Sequence, residues 1–272
     1  LQADRNRAYY AKNRARHRSV VLRLTEQIRN CILVHQQPNA RIARSGNLDP
    51  ERVWRAPLLN DSRVFRCAEQ ENQPSFTVDL LLDASASRLH CQEVIAAQGT
   101  ILAQSLAACG IPVRVSSFCS LRGYTVLRVL KGFADKGLQG IDQYFASGWN
   151  RDGLALRAAG DLVNFDPGPA PRHLLILLTD ASPNDSRRVP PSPEQPLGCD
   201  YGGSYGVDDA AAEVRTLRRN GLRVSAVFMG EDSSSHDAER IYGKNLARIR
   251  GMDQLARAAG RLIQNEIREL GD

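Results

Sequence analysis

The spacing of the hydrophobic positions changes at about residue 76. Before it, apolar residues recur every three or four positions and predict a helix over residues 5–33 with a basic outer surface. The apolar face of this helix consists of Val21, Leu24, Ile28 and Ile32. Residues 36–75 are polar and irregular, so no long regular element is predicted there. Five residues are expected to pin that segment onto a neighbouring core: Ile42, Leu48, Val53, Trp54 and Val64.

After residue 76, short apolar runs alternate with longer amphipathic segments. Strands are predicted at residues 76–82, 113–118, 125–130, 173–179 and 222–228. Helices are predicted at residues 90–109, 153–164, 208–220 and 252–270, with a long surface loop at residues 181–206. Strands that alternate with helices indicate an α/β fold with a doubly wound, mostly parallel sheet. The turn at Gly123 predicts that the third strand pairs antiparallel, as one edge strand.

The change of pattern divides the chain into two parts. Residues 1–75 are expected to form a basic helix and an irregular lead-in segment, and residues 76–272 the α/β domain. The net charge of the whole chain is +6, yet the residues after residue 50 sum to −1. A basic segment can contact nucleic acid or an acidic partner. The positive charge of this segment is explained more simply if it is the solvent-exposed face of a helix or part of a linker to a preceding domain. Nucleic-acid binding is therefore not expected.

Composition excludes several classes of protein. Hydrophobic residues make up 42% of the chain, enough for a full core, and no run of about 18 apolar residues predicts a membrane span. The chain begins with Leu and shows no signal-peptide pattern, so we expect a C-terminal piece of a longer, cytoplasmic protein. Six cysteines include no CxxC pair. Cys109 and Cys119 fall in predicted core elements and are expected to be buried and reduced.

Oxygen-bearing side chains follow the predicted strands. The first strand ends in the pattern DxSxS, which supplies Asp83, Ser85 and Ser87. The strand at residues 173–179 is followed by Asp180, and residues 149–153 (WNRDG) offer Asn150 and Asp152 just before a helix. Because ligands collect at the carboxyl ends of parallel strands, these groups are expected to meet at one edge of the sheet. Carboxylates and hydroxyls are ligands for hard cations such as Mg²⁺, Mn²⁺ or Ca²⁺.

The motifs of an enzyme are missing from the sequence. His90 lies three residues after Ser87 but is expected to be a surface helix residue, and His173 lies at the opposite end of its strand. There is no nucleophile-elbow pattern and no GxxxxGK[ST] phosphate loop, so the chain is not itself an ATPase. A binding module is therefore predicted rather than an enzyme. Residues 187–206 are either a partner-contact surface or a tolerated insertion.

These motifs resemble a known family. DASAS (83–87), the NRDG loop (150–153) and LLTDASPND (177–185) are similar to the metal-ion-dependent adhesion site of a von Willebrand factor A domain, over about residues 76–270. Within that family, NRDGLALR (150–157), TDASPND (179–185) and YGVDD (205–209) resemble nitric oxide reductase activation proteins (NorD-like) and the CobT subunit of cobaltochelatase. The basic helix and residues 40–53 before the domain fit the same subgroup.

The resemblance implies a divalent-cation site and a partner. Asp83, Ser85 and Ser87 match the first motif, and Asp180 matches an aspartate that usually acts on the metal through water. The second motif normally supplies a Thr, which this sequence lacks; Asp152 is the first choice to replace it and Asn150 the second. The implied cation is Mg²⁺, with Mn²⁺ or Ca²⁺ as alternatives. The implied partners are a MoxR-type AAA+ ATPase and a target enzyme, in enzyme activation or metal insertion.

Two other functions remain open at the level of sequence. An extracellular adhesion domain would have the same fold, and disulfides rather than free thiols would favour it. A metal-dependent hydrolase, such as a phosphatase, would need a general base that the sequence does not reveal.

Overall fold

A computed structural model describes residues 1–35, 39–69, 76–191, 193 and 196–271 of the chain. Its strands are β1 (Asn39–Ala43), β2 (Asn47–Leu48), β3 (Phe65–Glu69), β4 (Phe76–Asp83), β5 (Val113–Leu121), β6 (Tyr124–Lys131), β7 (Arg172–Thr179), β8 (Asp185–Val189), β9 (Cys199–Tyr201), β10 (Arg223–Phe228) and β11 (Leu246–Arg248). Its α-helices are α1 (Gln2–Lys12), α2 (Arg14–His35), α3 (Arg55–Leu59), α4 (Gln92–Ala108), α5 (Asp152–Phe165), α6 (Gly203–Arg219), α7 (Ser235–Tyr242) and α8 (Met252–Gly271).

Six strands form the central sheet, in the order β11–β10–β7–β4–β5–β6. Neighbouring strands run parallel except β6, which pairs antiparallel with β5 at the edge. Counted within this sheet, the order is 3-2-1-4-5-6, that of a doubly wound fold, whose ligands bind where the strand order reverses. The predicted fold class is confirmed. The reversal falls between β4 and β7, so the ends of these two strands define the place to look for a site.

Helices cover both faces of the sheet and explain its apolar strands. All eight residues of β4 are buried. One face packs against apolar residues of α2, α4 and α8, and the other against α5, α6 and α7. A strand that is buried on both faces has no polar side to alternate with its apolar side, hence the continuous run FTVDLLLD.

The N-terminal helix is part of this packing. Leu24 and Ile28 of α2 are fully buried against the core, while the basic residues Arg18, Arg23 and Arg29 face solvent. The single helix predicted over residues 5–33 is instead two helices, α1 and α2. The break lies at Asn13, whose side-chain Nδ2 donates to the carbonyl of Tyr9 (3.0 Å). An Asn side chain competes in this way with helical backbone bonds and favours helix ends.

The lead-in segment does not attach as predicted. Its short elements include an antiparallel sheet with the order β1–β3–β2, and residues 36–38 and 70–75 lie outside the described residues. Val64 is buried, but the other four expected pins are 39–53% exposed: Ile42, Leu48, Val53 and Trp54. A buried carboxylate links parts of the segment to one another: Asp49 accepts a hydrogen bond from Arg66 Nε (2.8 Å) and another from the backbone of Glu51 (3.1 Å).

Residues 181–206 differ most from the prediction. The expected loop contains the antiparallel pair β8–β9, and α6 begins within it, at Gly203. The helix α7 and the strand β11 were not predicted. With the sequences DSRRV and LAR, β8 and β11 have no apolar alternation long enough to be recognised. Polar contacts hold β8 in place, above all the bond from Arg151 Nε to Asp185 Oδ2 (2.5 Å).

The described cysteine side chains are free thiols: Cys31, Cys91, Cys109, Cys119 and Cys199. Cys109 and Cys119 are half-buried, not fully buried as expected. The side chain of Cys67 lies outside the described part. Within that part, no helix combines the length and the apolar character that crossing a bilayer requires.

A buried ion pair lies inside the sheet, away from the carboxyl ends of the strands. Arg114 of β5 is 1% exposed, and its Nε donates to Asp79 Oδ1 of β4 (2.5 Å). Its Nη1 donates to the carbonyl and to the carboxylate of Asp166 (2.9 and 3.0 Å), and its guanidinium lies 4.7 Å from the centroid of the Phe133 ring. Burial raises the pKa of Asp79, while the charge of Arg114 opposes that shift.

Removing one member of this pair is expected to be strongly destabilising. In Arg114→Met, Asp79 stays buried without its cation, so the free energy of unfolding should fall by about 3–5 kcal/mol. Urea denaturation would measure this change. The double variant Arg114→Met/Asp79→Leu should recover much of the loss, because it leaves no unpaired buried charge. Equal stability of parent and Arg114→Met would show that the pair does not hold the sheet together.

Candidate metal centre

The ends of β4 and β7 bring four of the five predicted site residues together. Ser85 N donates to Asp83 Oδ1 (2.9 Å), and the hydroxyls of Ser85 and Ser87 are hydrogen-bonded (2.9 Å). Ser87 Oγ donates to Asp180 Oδ2 (2.8 Å), which links the DxSxS loop to the loop after β7. The cause is the parallel register, in which Leu82 is opposite Leu178, so that both chains leave the sheet side by side.

The loop before α5 is fixed to this edge by backbone hydrogen bonds. Trp149 forms an antiparallel bridge with Ser120 at the end of β5, and Asn150 forms one with Asn184. Gly148 has a φ of +69°, and a Cβ there would lie 2.4 Å from the carbonyl oxygen of Ser120. Glycine is therefore needed for the loop to approach β5 this closely. The result is that Asp152, the first residue of α5, is fully buried beside the strand ends.

Asp152 and Asn150 have different positions in the centre. The Asn150 side chain donates to Asp152 Oδ1 (3.2 Å) and accepts from Asn184 N (3.3 Å), so both ends of its amide are in use. Asp152 Oδ2 is buried and has no hydrogen-bond partner. No hydrogen bond joins Asp152 to the other four predicted residues among the contacts described. Its link to them is electrostatic: burial raises the pKa of Asp152 most, and the charges of Asp83 and Asp180 raise it further.

The carboxylates destabilise one another in the absence of a cation. Burial and the neighbouring charge of Asp180 raise the pKa of Asp83 from 3.8 to about 7. Burial, then Asp83 and Asp180, raise the pKa of Asp152 well above its ordinary value. Asp83 Oδ2, like Asp152 Oδ2, is a buried oxygen without a hydrogen-bond partner. Buried charged oxygens of this kind are costly unless they are paired or coordinate a metal.

The donor set fits a hard divalent cation with mixed ligands. In the described part of the chain, no three side chains of His, Cys, Asp or Glu are grouped as a metal site by themselves. A cation here would therefore need the hydroxyls of Ser85 and Ser87, or water, in addition to the carboxylates. Such oxygen-only coordination, completed by water, is typical of Mg²⁺ and related ions.

Three residues that sequence reasoning did not identify surround the centre. Arg88, directly after DxSxS, contacts Asp180 Oδ2 through Nη2. The buried Tyr144 donates its hydroxyl to the carbonyl of Asp83 (2.5 Å). Tyr201 donates to Asp209 of the YGVDD motif (2.7 Å) and accepts from Gly153 N (3.4 Å), which supports the start of α5. The only available signal was for Arg88, a charged residue adjoining the motif.

A polar crevice of about 480 Å³ opens at this edge of the sheet. Its wall includes Ser85, Ser87, Arg88, His90, Trp149 and Asp180. Asp83 and Asp152 do not line it, being fully buried. His90 is exposed, as expected, and His173 lies at the other end of the sheet, where its Nδ1 is 2.8 Å from Thr77 Oγ1.

Comparisons with known proteins agree with this architecture. No family model matches the chain. Among solved structures, two crystal forms of proximal thread matrix protein 1 from the mussel byssus share 15% identity with TM-scores of 0.51 and 0.50. Each match covers 70% of this chain and 48% or 47% of the thread protein. At this identity the likeness is one of fold alone, a doubly wound α/β sheet.

Two further similarities were found. A third structure of the thread protein, with a zinc-occupied MIDAS motif, has a TM-score of 0.49 at 15% identity, over 72% of this chain and 46% of that one. An uncharacterized protein of Pseudomonas aeruginosa is 28% identical over 142 residues, 50% of this chain. That match spans about a fifth (21%) of the bacterial protein, and the chain spans about half (47%) of the thread protein.

The protein without a divalent cation is expected to lose stability as pH rises from 3.8 to about 7. Over this interval the folded state retains the proton of Asp83 while the unfolded state has lost it, so deprotonation disfavours folding. The raised pKa of Asp152 also lowers the stability of the cation-free protein as pH rises. Urea denaturation in EDTA across this pH range measures the effect.

Asp83→Asn provides the comparison, because its side chain does not titrate. Its stability should fall less steeply with pH than that of the parent, and it should be the more stable protein at pH 7 without metal. Identical pH profiles for the two proteins would contradict the raised pKa of Asp83.

Proposed function

We propose that the chain is a metal-dependent protein-interaction module and not an enzyme. Asp83, Ser85, Ser87 and Asp152 would bind a divalent cation directly, with Mg²⁺ as the first choice, and Asp180 would act through water. The observation that carries this proposal is the pair of buried, unpartnered oxygens, Asp83 Oδ2 and Asp152 Oδ2, at the sheet edge where the hydroxyls of Ser85 and Ser87 also lie. When bound, the cation would supply a Lewis-acidic position for an oxygen ligand of a partner protein.

The residues around the centre would keep it in place while a partner binds. Asn150 holds the carboxylate of Asp152, and Tyr144 fixes the carbonyl of Asp83. The crevice exposes Ser87 and the indole of Trp149, which is 42% exposed, at the rim. A partner's carboxylate would thus approach through a polar crevice whose rim offers an aromatic surface for packing.

A MoxR-type AAA+ ATPase is the partner that we propose, in enzyme activation or in metal insertion. The support for it is the resemblance of NRDGLALR, TDASPND and YGVDD to NorD-like and CobT-type domains. Two of these motifs lie next to the proposed site: Asp152 of the first is buried at the start of α5, and Asp209 of the third accepts a hydrogen bond from Tyr201, which contacts Gly153 N. The free thiols of the described cysteines support a reducing, cytoplasmic location.

Binding of Mg²⁺ or Mn²⁺ is expected to raise the melting temperature of the parent. At about 100 times its dissociation constant, a ligand stabilises the folded state by about 2.7 kcal/mol. Asp83→Ala and Asp152→Asn should lose this shift, since each removes one of the unpartnered oxygens. Asp161→Asn, an exposed acid on α5, is the matched control and should behave as the parent. Equal shifts in all four proteins would place the cation elsewhere.

The partner proposal has a separate test. The parent should bind and change the rate of ATP hydrolysis of a purified MoxR-type ATPase from the same organism, whereas Asp83→Ala should not. Because both mixtures contain the Mg²⁺ that ATP requires, a difference between them reports the metal centre. An identical effect of parent and variant would contradict cation-mediated contact with such an ATPase.

A further inference from the structure

We propose that Arg88 is a built-in counter-ion of the metal centre that lowers its affinity for the divalent cation. In the cation-free state Arg88 holds Asp180 and Ser87 in a closed network, and a cation must compete with that network. The inference rests on the proposed function, because it concerns the same site. It adds a residue that sets how readily the site is filled.

Three contacts hold the guanidinium of Arg88. Nη2 contacts Asp180 Oδ2, Nε donates to Ser87 Oγ (3.3 Å), and Nη1 donates to the carbonyl of Met229 (3.5 Å). The side chain of Arg88 is 10% exposed and that of Asp180 is 6% exposed. An ion pair with this little exposure is weakly screened by solvent and salt. Arg88 is therefore a fixed part of the centre and not a surface residue that happens to lie nearby.

The charges of the centre do not balance without a divalent cation. Asp83, Asp152 and Asp180 are three acids, and Arg88 is one permanent positive charge. When all three acids are ionised, the net charge is minus two, which a divalent cation neutralises. Arg88 thus neutralises part of the charge that would attract the metal. Without Arg88, the centre would attract a cation more strongly.

The same contacts occupy atoms that the cation would use. Ser87 Oγ takes part in three hydrogen bonds: it donates to Asp180, shares a hydrogen bond with Ser85 Oγ and accepts from Arg88 Nε. Asp180 Oδ1 accepts from Ser182 N (3.2 Å), and its Oδ2 is shared between Ser87 and Arg88. A hydroxyl that turns its lone pair toward a cation must weaken its bond to Arg88. The network therefore opposes metal binding by hydrogen bonding as well as by charge.

The test compares Arg88→Gln with Arg88→Lys by calorimetric titration with Mn²⁺ and Mg²⁺ in metal-free buffer at low salt. Arg88→Gln removes the charge and should bind each cation at least about tenfold more tightly than the parent. Arg88→Lys keeps the charge and should stay closer to the parent. Without cation, Arg88→Gln should melt at a lower temperature, because Asp180 loses its buried partner. A purely structural role would weaken metal binding, so tighter binding separates the two explanations.

The background Asp180→Asn keeps the test valid if Arg88→Gln does not fold. With Asp180 neutral, the ion pair no longer contributes to stability, and adding Arg88→Gln should still tighten cation binding. Unchanged or weaker binding in both backgrounds overturns the role of Arg88 and leaves the metal centre standing. If neither the parent nor any Arg88 variant binds Mn²⁺ or Mg²⁺, the proposed function fails, and this inference with it.

Discussion

The parallel pairing of β4 with β7 determines where the charged groups of this protein meet. The register from Phe76 opposite Arg172 to Leu82 opposite Leu178 places Asp83 and Asp180 at the same sheet edge. Both strands are buried on both faces by helices, so neither can shift without exposing apolar side chains. The position of the centre thus depends on the packing of a mainly apolar core.

One face of the sheet is covered by two helices of residues 76–272 and by a third helix, α2, from the N-terminal segment. α2 packs against α4 and α8, and its Leu24 and Ile28 are fully buried in the same cluster as residues of the strands. The basic residues of α2 are consequently the solvent side of a core helix.

The sheet carries two groups of buried charges, and they are compensated differently. Within the strands, Arg114 compensates Asp79 and also bonds to Asp166. At the carboxyl edge, Arg88 compensates Asp180, while Asp83 and Asp152 each keep one oxygen without a partner. The first group has two acids for one arginine, and one of these acids, Asp166, is half exposed to solvent. The second group has three acids for one arginine, an excess of negative charge that is useful where a cation or partner is to bind.

The sequence by itself determined the doubly wound fold and the edge at which the site lies. It did so because a strand buried on both faces must be continuously apolar, as in FTVDLLLD, and because a parallel sheet collects its strand ends at one edge. Asp83, Ser85, Ser87 and Asp180 follow directly from those two facts. The ends of the elements, and short elements such as β8 and β11, could not be predicted in this way, because they contain too few residues to show a hydrophobic pattern.

Only the tertiary structure decided which polar atoms have hydrogen-bond partners. That Asn150 holds Asp152, that Tyr144 bonds to the carbonyl of Asp83 and that Arg88 pairs with Asp180 are contacts of side-chain atoms. Hydrophobic spacing records which face of an element is buried, but it carries no information about which polar atoms meet within hydrogen-bonding distance. Contacts between residues such as Arg88 and Asp180, 92 positions apart, exist only once the strands are paired.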